Sequence, residues 1–133
     1  MRSHLTSWSP CALSVLRIVS ALLFLEHGSA KLLGVPHQDV SGHPFQLFSM
    51  IGFSGVLELV GGFLLAIGLF TRFTAFILSG EMAVAYFMVH APHGFFPLVN
   101  KGELAVLYCF VFLFFVFSGG GSCSLDRLLR SRN

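Results

Sequence analysis

The sequence predicts an all-α integral membrane protein, a bundle of four spanning helices with both termini in the cytoplasm. Three observations carry that reading. The 133 residues are 55% hydrophobic and only 11% charged, whereas soluble domains carry about 25% charged residues. Mean hydropathy is +0.82. Apolar runs cover 11–33, 48–70, 73–90 and 102–118, each close to the ~20 residues that cross a ~30 Å hydrocarbon core at ~1.5 Å per residue. This length holds a single membrane domain over 1–133 with a short basic cytoplasmic tail over 122–133.

A polar lead over 1–10 precedes the first span. A cleaved signal peptide is the competing reading of that span, but Arg17, Glu26 and His27 interrupt it, and signal-peptide apolar regions are short and uncharged. Residues 34–44, with Pro36, His37, Gln38, Asp39, Gly42, His43 and Pro44, read as a loop outside the membrane. The second span carries Gly62 and Ala66 on one face and ends at a tight Thr71-Arg72 link. In the third, Ala75, Ser79 and Ala83 recur every four residues, a small-residue face that lets helices approach closely. Pro92, His93, Gly94 and Pro97 then break the helix. Phe95, Phe96 and Leu98 make that loop apolar enough to dip into the interface. The fourth span ends before Gly119, Gly120 and Gly121. Its aromatic run Phe110, Phe112, Phe114, Phe115 and Phe117 reads mostly as lipid-facing bulk. In the tail, Leu125, Leu128 and Leu129 alternate with Arg127 and Arg130, the pattern of a short helix lying on anionic headgroups.

Orientation follows from basic residues outside the spans. Arg2, Arg72, Arg127, Arg130 and Arg132 lie on the side of both termini, against Lys31 and Lys101 opposite. Arg17, two turns into the first helix, is expected to snorkel to that same side. By depth, Glu58 and Glu81 fall near the midplane and Glu26 about 6 Å further out. His27, Lys31, His90, Asn100, Lys101 and Glu103 sit at the outer edge. Glu26, His27, Lys31, Glu58, Glu81, His90, Asn100 and Glu103 therefore form a polar wedge that opens outward and tapers to mid-bilayer. Carboxyls at that depth are costly and face protein or internal water, so each marks either an interhelical hydrogen bond or a site. His90 lies ~180° around its helix from Glu81, which makes Glu81 the buried one of the two and Tyr86 a hydrogen-bond partner for His90.

Other chemistries find less support. Di-iron bundles use Glu-x-x-His pairs, which do not occur here, so no metal site is predicted. Cys11, Cys109 and Cys123 lack zinc or CxxC spacing; Cys11 and Cys123 fall near the cytoplasmic ends of the outer spans, close enough in depth to meet, and in a reducing cytosol read as inert thiols. No serine or cysteine nucleophile with a paired base is recognisable. The apolar bulk excludes a nucleic-acid partner.

An ordered set of short motifs matches something known. They are Leu16-Arg17, LEHGSAKL at 25–32, ELVGGFLL at 58–65, GLFTR at 68–72, MAVAY at 82–86 and NKGE at 100–103. Over 16–126 the chain resembles the DoxX family of small four-span bacterial membrane proteins. The resemblance implies a multi-pass protein of the bacterial inner membrane, with Arg17, His27, Lys31, Glu58, Arg72, His90, Asn100 and Glu103 at family motif positions. It also implies kinship with subunits of thiosulfate:quinone oxidoreductases. Two function classes follow. One is a redox-associated subunit, an oxidoreductase component if an enzyme at all, that binds a quinone or a small sulfur anion in the wedge beside a redox partner. The other is a non-enzymatic scaffold or small-solute transporter. No cofactor site is evident beyond one for a quinone, and a homo-oligomer is compatible with either class.

Overall fold

The computed structural model describes residues 4–37 and 48–132, and every regular element among them is helical. In order these are α1 (His4–Leu33), α2 (Met50–Ile67), α3 (Thr71–Ala85), a π-helical turn (Tyr86–His90), a 3₁₀ turn (Ala91–His93), α4 (Pro97–Asn100), α5 (Glu103–Ser118) and α6 (Leu125–Arg130). Among the described residues three stretches are long and apolar enough to cross a membrane, Thr6–Leu33, Met50–Ile67 and Thr71–His93, and α5 is a shorter apolar helix. At 16 residues α5 is about 24 Å long, short of a ~30 Å core. Most of the expected loop over 34–44 lies outside the described residues.

The chain divides into two compact units, Met1–Phe70 with Gly120–Asn133, and Thr71–Gly119. In the first, α1 presents Ser14, Arg17, Ala21, Phe24, Gly28 and Lys31 along one stripe, alternately three and four residues apart. That 3.5-residue repeat keeps one face turned to a single partner. The partner is α2, whose buried residues include Gly55, Glu58, Gly62 and Leu65 at the same spacing. Glycine lets the two backbones come close. A Cβ on Gly28 would stand 2.6 Å from the Leu59 backbone nitrogen, and one on Gly62 would stand 2.9 Å from Leu25. The expected Gly62 face is present, extended by Gly55 rather than by Ala66.

Local signals set the ends of α2 inside the apolar run of 48–70. The Ser49 hydroxyl accepts from the Gly52 amide at 3.1 Å, and Gly68 closes the helix in the left-handed region at φ 71°. The polar lead of α1, expected outside the span, is helical from His4 and carries Pro10 within it. The C-terminal segment holds that turn, because the Ser122 amide donates to the Pro10 carbonyl at 3.1 Å.

Arg17 does not snorkel. Its side chain is fully buried, and its guanidinium donates to four carbonyls. Nε bonds Gly120 at 2.8 Å, Nη1 bonds Leu65 and Ala66 (the latter at 2.7 Å), and Nη2 bonds Cys123 at 2.5 Å. The last carbonyls of α2 lie beyond its regular ladder, Leu65 taking only the Gly68 cap amide at 3.1 Å, and carry the negative end of the helix dipole. A cation there meets both needs, and its fork of five donors reaches the returning C-terminal segment as well. Asp126 completes the join, its amide donating to the Gly68 carbonyl at 2.9 Å and its carboxylate accepting from the Phe70 amide at 2.8 Å.

The second unit repeats this logic. On α3 the buried stripe is Thr71, Ala75, Leu78 and Met82, and on α5 it is Ala105, Tyr108, Phe112 and Phe115. Phe110, Phe114 and Phe117 are exposed, as the mostly lipid-facing reading of that run expects, while Phe112 and Phe115 are fully buried and face α3 instead. The predicted small-residue face brings Ser79 to the Cys109 carbonyl at 2.8 Å. Arg72 donates to the last α5 carbonyls, those of Val116 and Phe117, both at 2.7 Å.

Arg17→Lys is expected to keep the charge but lose most of the four bonds, since an ammonium lacks the planar fork. At an average of ~0.6 kcal/mol per interhelical hydrogen bond, the loss is about 2 kcal/mol. Melting in detergent reads the destabilisation, and faster tryptic cleavage after Arg127 and Arg130 reads release of the C-terminal segment.

Candidate functional site

The close approach of α1 and α2 brings two charges together inside the first unit. A Cβ on Gly55 would stand 3.1 Å from the Lys31 Cβ, so the absence of a side chain there opens the path along which Lys31 reaches across. Its ammonium meets Glu58 Oε1 at 2.7 Å and also donates to the Ser54 hydroxyl at 3.0 Å. Ser54 lies one turn before Glu58 and therefore on the same face of α2. Glu58 is 2% exposed, whereas the Lys31 side chain keeps 21% of its surface. The second carboxylate oxygen, Glu58 Oε2, is buried and accepts no hydrogen bond from any described residue. One charge is thus sealed in and the other leads outward.

This pair is electrically neutral, half-satisfied and built on two spanning helices. It has an ammonium that still has a proton to donate beyond its two bonds, and a carboxylate oxygen that still can accept one. A ligand carrying both a carbonyl and a hydroxyl, or interconverting the two, matches that donor and acceptor pair.

The other members of the expected wedge fall as follows. Glu26 is exposed, with its backbone carbonyl taking the Ser29 hydroxyl at 3.1 Å, and His27 is partly buried. In the second unit, Glu81 is partly buried with both carboxylate oxygens sealed from solvent, and Glu103 is exposed in the first turn of α5. His90 and Asn100 do come together. His90 Nδ1 lies 3.1 Å from the Asn100 carbonyl, and the Asn100 amide nitrogen donates to Tyr86 Oη at 3.2 Å and to the Gly94 carbonyl at 2.8 Å. The Asn100 side-chain oxygen accepts from the Gly102 amide at 2.8 Å. With both amide donors used, its oxygen engaged by Gly102 and the residue 5% exposed, Asn100 holds the turn between α4 and α5, including Lys101 at φ 59°.

Tyr86 stacks on His90, centroids 6.4 Å apart at 27°, rather than hydrogen-bonding to it as expected. The reason is the π-helical turn over Tyr86–His90, which breaks the 100° per residue used to place those side chains. Sequence reasoning missed Ser54 and Gly94. Ser54 was findable, since a serine four residues before a buried glutamate shares its face. Gly94 contributes only a carbonyl and leaves no signal.

Apolar helices of spanning length, glycine-lined seams and paired intramembrane charges define a multi-pass helical membrane protein. The DoxX family model matches residues 12–91, and the chain belongs to the DoxX family. Two proteins of Haemophilus influenzae, both described as uncharacterized, are similar to it. One is 50% identical over 94% of this chain and 96% of its own length, the other 33% identical over 92% and 85%. No solved structure matches.

Removing one partner of a buried ion pair leaves the other uncompensated, at about 3–5 kcal/mol. The two partners differ here, because Lys31 can reach water and Glu58 cannot. Lys31→Ala is therefore expected to cost about 3 kcal/mol, Glu58→Leu clearly less, and the double variant less than Lys31→Ala alone. Detergent melting of the four proteins measures the cycle.

Proposed function

We propose that this protein is a redox-associated subunit of the bacterial inner membrane that binds a quinone head group at the Lys31–Glu58 pair. The observation that carries it is the half-satisfied carboxylate: Oε1 is engaged by Lys31 at 2.7 Å while buried Oε2 is left open. A quinone carbonyl accepts from the ammonium, and a quinol hydroxyl donates to Oε2. A small sulfur anion fits less well, because Glu58 already cancels the charge of Lys31 and desolvating an anion beside a neutral pair is costly. Reducing a quinone takes two electrons and two protons. In this reading Glu58 handles protons, and a partner redox protein supplies the electrons. The excess of arginine on the side of both termini supports a cytoplasmic location for them, with the ligand entering from the opposite side or laterally from lipid.

Titration of a short-chain ubiquinol analogue, kept reduced, into the detergent-solubilised protein tests this by calorimetry. Saturable binding is expected, weakened about tenfold or more by Glu58→Leu, the cost of one hydrogen bond to a charged group. Glu58→Gln is expected to bind within a few-fold of wild type, because its amide still accepts from Lys31. Binding unaffected by Glu58→Leu, or no quinol binding by wild type beside tight binding of thiosulfate, overturns the reading.

A further inference from the structure

The C-terminal helix α6 (Leu125–Arg130) carries a feature that the Lys31–Glu58 site does not use. It is fastened to the membrane boundary. The last turn of α2 ends at Ile67, 18 residues or about 27 Å from its start, which is one hydrocarbon thickness. The Asp126 amide bonds the Gly68 carbonyl, the Asp126 carboxylate takes the Phe70 amide, and Arg17 grips the Cys123 carbonyl. The start of α6 is therefore held at the end of a spanning helix, at the level of the headgroups.

Its side chains suit that level. At 100° per residue, Leu125, Leu128 and Leu129 fall within an arc of about 100°, and Arg127 and Arg130 lie on the opposite side. Leu128 is 60% and Leu129 54% exposed, and both arginines are exposed. The acidic residue of the helix, Asp126, is already engaged by Phe70. What remains is an apolar strip backed by two free guanidiniums at interfacial depth. Guanidiniums form paired hydrogen bonds to phosphate, and leucines of a short amphipathic helix enter the acyl boundary.

We propose that α6 is a binding element for anionic phospholipid, its leucines seated in the acyl boundary and Arg127 and Arg130 on the headgroup phosphate. The element holds the end of α2, and through Arg17 the start of α1, against the leaflet. It stands independently of any ligand at Glu58.

Native mass spectrometry of the full chain from micelles containing equal phosphatidylglycerol and phosphatidylcholine tests it. Each arginine near an anionic surface is worth about a fivefold preference. Wild type is expected to retain phosphatidylglycerol selectively, and the Arg127→Gln/Arg130→Gln protein to lose that selectivity about tenfold or more. Arg127→Lys/Arg130→Lys is expected to keep most of it, since the charge remains. Equal retention of the two lipids by wild type overturns the proposal. So does selectivity that survives the glutamine changes, or selectivity that the lysine protein loses.

Discussion

A charge carried into the hydrocarbon core has to be met by the protein itself, because no water is there to meet it. Arg17 and Lys31 occupy one stripe of α1, fourteen residues or about 21 Å apart, and each finds its partner on α2. Arg17 takes the Leu65 and Ala66 carbonyls at the end of that helix, and Lys31 takes the carboxylate of Glu58. The small residues between them, Gly28 on α1 and Gly55 and Gly62 on α2, follow from the same need. Without backbone contact neither side chain would reach. Substituting those glycines would therefore disturb both polar ties as well as the packing.

The two ties are not alike. Arg17 is fully buried, with four of its five donors on backbone carbonyls, so it fixes geometry rather than facing a ligand. Lys31 and Glu58 leave a donor and an acceptor open at a place reached from one side. Backbone ties lie at one end of the helix pair and the half-satisfied charge pair at the other. In the second unit Arg72 likewise caps the end of α5, and Asn100 likewise spends its bonds on a turn. That arrangement marks Arg72 and Asn100 as framework.

Much of this was legible before any coordinates. Apolar runs and breakers located the helices, since bilayer thickness admits few lengths, and Glu58 stood out because a lone carboxyl at that depth needs a partner. The spacing of Lys31 and Glu58 on separate helices did not show that they would meet. That depended on Gly28 and Gly55, whose role comes from what their missing side chains allow. Arg17 was misplaced for a related reason. Proximity to a helix start suggested escape to water, whereas the acceptors that hold it are backbone carbonyls from Leu65 to Cys123, which no side-chain pattern announces. Tyr86 was placed by regular helical geometry, and the π turn removed the premise. The aromatic run of α5 looked uniform in composition, and only its seam, at 105, 108, 112 and 115, separated buried rings from exposed ones.

The proposed quinone site has a definite place, where α1 and α2 bring Lys31, Ser54 and Glu58 together. Photolabelling with a short-chain azidoquinone in native membranes, followed by peptide mapping, addresses it most directly. The account predicts saturable label, displaced by unmodified quinone, on the segments of α1 and α2 around residues 27–31 and 54–58. Displaceable label confined to 71–119, or label that excess quinone does not displace, would contradict it.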